Sequence, residues 1–202
     1  MTEQNQNVLN QNYDAKMTHK YQTRIKDGSL EIGDWLNGDQ EVTNLKFIEK
    51  FNIQTLKLYI NELMSLKLKS NTIKELTLEQ PRHFGKQVLN WKVEDFELEN
   101  LEVLFLRQQI VNECNQQLFN LVKFKKLHTL DVSYNNVDFT HIYCVKNLTQ
   151  LSMRNCSLNN IDLVQSLTNL EVLDLSANTR LAPTKNRNGG VGSFRKYFTV
   201  YQ

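Results

Sequence analysis

The sequence has little of what most structural classes require. Two prolines and seven glycines in 202 residues are too few for collagen-like or low-complexity material, and too few for a sandwich built on many glycine turns. Three cysteines, Cys114, Cys144 and Cys156, form an odd set with no Cys-x-x-Cys pair. That argues against a disulfide framework and suits a reducing compartment. Mean hydropathy is -0.50, and no apolar run approaches the roughly 20 residues that a membrane-spanning helix needs. The start, Met1 to Asp14, lacks the basic and apolar regions of a secretory signal. A cytoplasmic protein with no membrane insertion is the expectation.

A strong charge of one sign is also missing, since the net charge is only +2. It is unevenly spread: residues 180–202 hold Arg180, Lys185, Arg187, Arg195 and Lys196 and no acid, so the rest of the chain stands at -3. A mildly acidic body lacks the basic face that displaces counterions from nucleic acid, so no nucleic acid is expected as ligand.

What is present is a repeat of the form Leu-x-x-Leu-x-Leu-x-x-Asn-x-Leu. Its cleanest copy is Leu127, Leu130, Val132, Asn135 and Val137. Leu148, Leu151, Met153, Cys156 and Leu158 follow 21 residues later, and Leu170, Leu173, Leu175 and Asn178 follow after 22 more. Upstream copies are Leu101, Leu104, Leu106, Gln109, Val111; then Ile73, Leu76, Leu78, Pro81; then Ile53, Leu56, Leu58, Asn61, Leu63. Ser29-Leu30-Glu31-Ile32 keeps only the middle of the pattern and is read as the first coil.

On these residues the chain resembles the leucine-rich repeat proteins of the short, roughly 22-residue class, over about Leu30 to Asn178. Its abundant Asn, Gln and Lys are similar in composition to intracellular repeat proteins of unicellular eukaryotes. The resemblance implies an α/β solenoid, a curved stack of coils whose concave face is a parallel β-sheet and whose convex side mixes 3-10, helical and extended returns. Elementary geometry points the same way: two leucines two apart share one face of a strand, and the residue between them faces away. The Asn slot ends the strand, where a side-chain amide can pair with backbone groups left buried by the turn. Asn61, Asn135, Cys156 and Asn178 should form that ladder, Cys156 with a weak S–H donor. Gln109 is longer than the slot requires and Pro81 has no donor, so the ladder should be broken early and intact late.

The return arms can also be read. Leu158, Ile161, Val164 and Leu167 recur every three residues, which suits a 3-10 return. Cys114, Leu118, Leu121 and Val122 suit a true helix, and Phe84, Val88, Leu89, Trp91, Val93 and Phe96 a bulkier arm. Residues 63–73 repeat the motif only ten residues after Ile53, too soon for a new coil, and are read as an extended return. A stack exposes its core at both ends and needs caps. Leu9, Tyr13, Met17, Tyr21 and Ile25, spaced by four, predict a capping helix within residues 1–28, frayed over 1–7. About seven coils fill residues 29–180, and the basic tail 181–202 is a partial cap at most.

No catalytic constellation emerges. His141 and Cys144 are three apart like a metal pair, yet no second pair joins them, and no metal or other cofactor is expected. Gly189-Gly190-Val191-Gly192-Ser193 lacks the Gly-Lys-Ser/Thr ending of a phosphate loop. Asp131 and Asp174 lie two coils apart, too far for a close acid pair.

There remains the face of the sheet. Strict alternation turns Glu31, Lys57, Thr77, Phe105, Asp131, Ser152 and Asp174 outward, with Tyr59, Glu79, Arg107, Ser133, Arg154 and Ser176 one row on. Phe105 beside Tyr59 and Arg107 has the composition of a binding hot spot, unless residues 82–90 or the tail cover it. The expected epitope is Tyr59, Phe105, Arg107, Asp131, Tyr134 and Arg154. The reading is a non-enzymatic module, monomeric by itself, that binds an unknown protein partner. The family's range leaves two alternatives, a regulatory subunit of a protein phosphatase and the non-catalytic part of an enzyme whose catalytic region lies elsewhere.

Overall fold

A computed structural model describes residues 3–33, 41–59, 67–79, 95–107, 121–135, 142–160 and 162–181. Within these, nine short strands form, seven of them on the paired apolar positions of the motif: β1 (Ser29–Ile32), β2 (Thr55–Tyr59), β3 (Leu68–Ser70), β4 (Glu75–Glu79), β5 (Phe96–Leu98), β6 (Val103–Arg107), β7 (Thr129–Asp131), β8 (Gln150–Ser152) and β9 (Val172–Asp174). Seven of them form one parallel sheet in the order β1-β2-β4-β6-β7-β8-β9, and β3 pairs with β5 in a second, two-stranded sheet. The fold is thus of α/β type, with a mostly parallel sheet and few helices.

One register runs through the large sheet. Leu30, Leu56, Leu76, Leu104, Leu130, Leu151 and Leu173 stand side by side across it. All seven are at most 3% exposed, because a one-residue slip would turn every leucine to the opposite face. From β2 onward each strand enters by donating two consecutive N–H groups to one carbonyl of its predecessor. The acceptors are Gly28, Gln54, Lys74, Glu102, His128 and Thr149. Gly28 supplies the first of these from a left-handed backbone at φ 73°, a conformation that glycine adopts without steric cost.

The returns between strands carry 3-10 turns at Lys46–Lys50, Leu121–Lys123, Ile142–Cys144 and Asp162–Val164. Phe47, Ile48, Leu121, Ile142 and Val164 point from them into the same core as the strand leucines. Residues 63–73 were expected to be an extended return, and β3 lies within their described part, 67–73. The helical return expected around Cys114 and Leu118 and the bulky arm from Phe84 to Val93 lie outside the described residues, as do Asn61, Pro81, Gln109 and the tail beyond Leu181.

Helix α1 (Glu3–Gln22) precedes the sheet. Met17 and Tyr21 are fully buried, and Tyr21 stacks on Phe47 with ring centroids 5.4 Å apart. The Tyr13 hydroxyl accepts the N–H groups of Thr43 (2.8 Å) and Asn44 (3.3 Å). One expectation about this helix needs correction. Leu9 is 57% exposed, with Val8 beside it at 56%, because the buried stripe starts only at Tyr13, where the helix first meets the 42–51 return.

Candidate functional site

Where β7, β8 and β9 end, the backbone turns through a left-handed residue: Tyr134 (φ 63°), Asn155 (φ 51°) and Ala177 (φ 59°). The next residue, Asn135, Cys156 or Asn178, points inward and is buried. Asn178 binds five backbone groups. Its Oδ1 accepts the N–H of Cys156 (2.8 Å) and Leu158 (3.1 Å). Its Nδ2 donates to the carbonyls of Met153 (2.8 Å), Leu175 (2.8 Å) and, more weakly, Ser176 (3.4 Å). Asn135 Nδ2 donates to Leu106, Val132 and Ser133, while its Oδ1 has no hydrogen-bond partner among the described residues. The Cys156 thiol donates to the carbonyl of Val132 at 3.2 Å. Burial pushes that thiol up to about 11, which removes it from thiolate chemistry near neutral pH.

On the opposite face of the sheet the side chains form a row of alternating charge. The Lys57 ammonium lies 3.9 Å from Glu79, and Arg107 lies 3.9 Å from Glu79 and 2.6 Å from Asp131. Burial works to lower the pKa of Lys57, but its hydrogen bond to Tyr59 and the charges of Glu79 and Glu31 outweigh this and raise it. Next along, Ser133 Oγ and Ser152 Oγ are 2.8 Å apart, and Ser133 Oγ also accepts the N–H of Arg154.

Two expected epitope residues are not exposed. Tyr59 is 6% exposed: the ammonium of Lys57 sits 4.6 Å from its ring centroid and takes the place of solvent over the ring. Asp131 is also 6% exposed, because one oxygen holds Arg107 and the other accepts the N–H of Ser133 at 2.9 Å. Asp174 repeats that turn with the N–H of Ser176, also at 2.9 Å. The outward polar row is therefore partly structural. Phe105 is half-buried beneath the Arg107 guanidinium, 5.1 Å from its ring centroid. Arg107, Tyr134 and Arg154 are exposed, and Val172, outside the expected epitope, is 40% exposed at the start of the last strand of the same sheet. Arg154 has no ion pair among the described residues.

Sequence reasoning missed two features of this architecture. One is the Asp-x-Ser pair, Asp131-Val132-Ser133 and Asp174-Leu175-Ser176, legible as a repeat of 43 residues. The other is a second amide series at the start of the strands. Asn100, Asn147 and Asn169 donate to the carbonyls of Asn71 (2.6 Å), Lys125 (2.9 Å) and Lys146 (3.0 Å). Its signal is an Asn directly before the first leucine of the motif.

Among the described residues, no three His, Cys, Asp or Glu side chains are grouped to hold a metal ion. No helix among them is long and apolar enough to cross a membrane. Comparison with protein-family models, with curated proteins and with solved structures finds no match in any of the three.

Proposed function

We propose that the chain is a leucine-rich repeat solenoid serving as a non-enzymatic protein-binding module, with the open face of its large sheet as the contact surface. The observation that carries this reading is the group Phe105, Arg107, Tyr134, Arg154 and Val172, apolar and cationic side chains turned away from the core. Aromatic and Arg residues of this kind dominate binding energy at protein interfaces. A hydrogen-bonded sheet holds them in place before contact, so that little side-chain or loop entropy is lost on binding. The recurring strand-ending ladder and the single leucine register support the repeat reading.

The test is affinity capture from native lysate with Phe105→Ala/Arg154→Ala against Lys146→Ala. Arg107 is left in place because it holds Asp131, and Lys146 is a control on a return, where it donates to the carbonyl of Ser166. The double variant should fold normally and lose a stoichiometric partner by tenfold or more, corresponding to about 1.4 kcal/mol, while Lys146→Ala keeps it. A partner retained by the double variant would move the contact surface elsewhere, and a phosphatase among the retained proteins would favour the regulatory-subunit alternative.

A further inference from the structure

The open face of the large sheet is not level. The register that pairs Phe105, Asp131, Ser152 and Asp174 across β6 to β9 also lines up Arg107, Ser133, Arg154 and Ser176 two residues on. Long side chains at Arg107 and Arg154 thus border the short ones of β7. Neighbouring strands lie about 5 Å apart, so the trough between the two arginines is about 10 Å wide. Its floor is Asp131, Ser133 and Ser152, and Phe105 beneath the Arg107 guanidinium forms one wall.

The donors and acceptors of this trough do not balance. Asp131 spends one oxygen on Arg107 and the other on the N–H of Ser133. Ser133 Oγ and Ser152 Oγ lie 2.8 Å apart, and Ser133 Oγ also accepts the N–H of Arg154. Two hydroxyls carry two protons, and their mutual bond uses one. Ser133 is 3% exposed and Ser152 half-buried. Donation from Ser133 to Ser152 therefore leaves the spare proton on Ser152, at the surface, whereas the reverse would bury it unpaired. The Arg154 guanidinium has neither an ion pair nor a hydrogen bond among the described residues. Asp174, paired with Ser152 across the strands, gives Oδ1 to the N–H of Ser176 and makes no ion pair with Arg154. Arg154 and Ser152, two residues apart on one face, thus present donors over a floor whose carboxylate is already taken.

We propose that this trough is an acid-recognition site: a partner protein inserts an Asp or Glu side chain that takes the Arg154 guanidinium and the Ser152 hydroxyl, with an apolar neighbour of that acid resting on Phe105. The proposal rests on the reading of this face as a protein contact surface and names the chemistry of the partner. A carboxylate accepts from a guanidinium through two parallel N–H groups, and Arg154 is the outward cation that no acid of the described chain engages. Lys57 and Arg107, by contrast, are already matched to Glu79 and Asp131. Charge selects a carboxylate over a phosphate. One unmatched cation balances one negative charge, and Asp131 and Asp174 at the floor and edge of the trough oppose a second. The hydrogen-bonded floor holds the two serines in place before contact, so the acid is specified by a preformed pair of donors.

The experiment is selection of a displayed library of random peptides on the full chain, followed by calorimetry of one selected peptide against variants whose circular dichroism matches the unaltered chain. The selected peptides should share an Asp or Glu beside an apolar residue. Binding should fall about tenfold or more in Arg154→Gln, the loss of a charge-assisted pair, and about two- to fivefold in Ser152→Ala. Changing the acid of the peptide to its amide should cost the unaltered chain as much as Arg154→Gln does, and should cost Arg154→Gln little further. Arg154→Glu should in turn select peptides carrying Lys or Arg. Peptides that need Phe105 but bind equally well to Arg154→Gln would overturn the acid site and leave the contact surface standing. Peptides indifferent to Phe105→Ala and to Arg154→Gln alike would overturn both. A selection that yields no peptide, or phosphopeptides bound more tightly than their carboxylate counterparts, would overturn the acid site as well.

Discussion

Replacing Asn178 by Ala removes five hydrogen bonds at once. Two of the groups left behind, the N–H of Cys156 and of Leu158, have Asn178 Oδ1 as their acceptor and lie in the buried turn. A buried donor without a partner costs about 1–3 kcal/mol. The carbonyls of Met153 and Leu175 lose a donor as well, a smaller penalty because a carbonyl has two lone pairs. The sum is about 3–5 kcal/mol, a large fraction of the 5–15 kcal/mol that stabilises ordinary domains. Asn135→Ala removes only the donations of Nδ2 among the described residues, since its Oδ1 has no partner there. It should cost about 1–2 kcal/mol. Asn178→Cys imitates the turn after the preceding strand, where the Cys156 thiol donates to the carbonyls of Val132 and Arg154. It keeps a donor, loses the acceptor, and should fall between. The assay is urea denaturation followed by circular dichroism, with the slope of the transition monitored, because a changed slope would show a departure from two-state unfolding. Asn178→Ala within about 0.5 kcal/mol of the unaltered chain, or no more damaging than Asn135→Ala, would refute the reasoning.

Three further outcomes are expected. Tyr21→Ala should destabilise by about 3–5 kcal/mol, the range for a buried aromatic, since Tyr21 is fully buried and stacked on Phe47. A change below about 1 kcal/mol in the same melt would mean that α1 is not held by its apolar stripe. Cys156 carries its proton more tightly in the fold, at about 11 against an ordinary 9.0, so its contribution is complete below the unfolded value and is lost as pH rises from 9 towards 11. Unfolding titrations at pH 8 and 10.5 should show that loss, and Cys156→Ser should abolish it; an equal decline in the serine variant would assign it to other groups. Ala177→Gly should stabilise by about 0.5–1 kcal/mol. A left-handed backbone costs a side-chain-bearing residue about 1–2 kcal/mol, and glycine's extra entropy returns only part of that. Thermal melts that show a loss would contradict the strain.

The order of the strands and their register were legible in the sequence, because both follow from the spacing of the leucines. Leu30, Leu56, Leu76, Leu104, Leu130, Leu151 and Leu173 sit where two-residue alternation and a 20-to-28-residue return place them. The identity of the strand-ending slot was legible too, since it asks for a short side chain that can donate inside the turn, and Asn135, Cys156 and Asn178 all donate there. Tertiary structure decided which outward residues are available to a partner. Alternation states only that Tyr59 and Asp131 face away from the leucines. Their burial comes from contacts that alternation does not specify: Lys57 of the same strand over the Tyr59 ring, and for Asp131 the guanidinium of Arg107 from β6 and the N–H of Ser133. The left-handed backbone at Tyr134 was equally invisible, because an aromatic residue carries no local preference for it and only the closure of the turn onto Asn135 imposes it. Local pattern fixes what a side chain points toward or away from, whereas exposure depends on contacts that alternation does not specify, some from the same strand or turn and some, like that of Arg107 with Asp131, from residues 24 positions away that only the paired strands bring together.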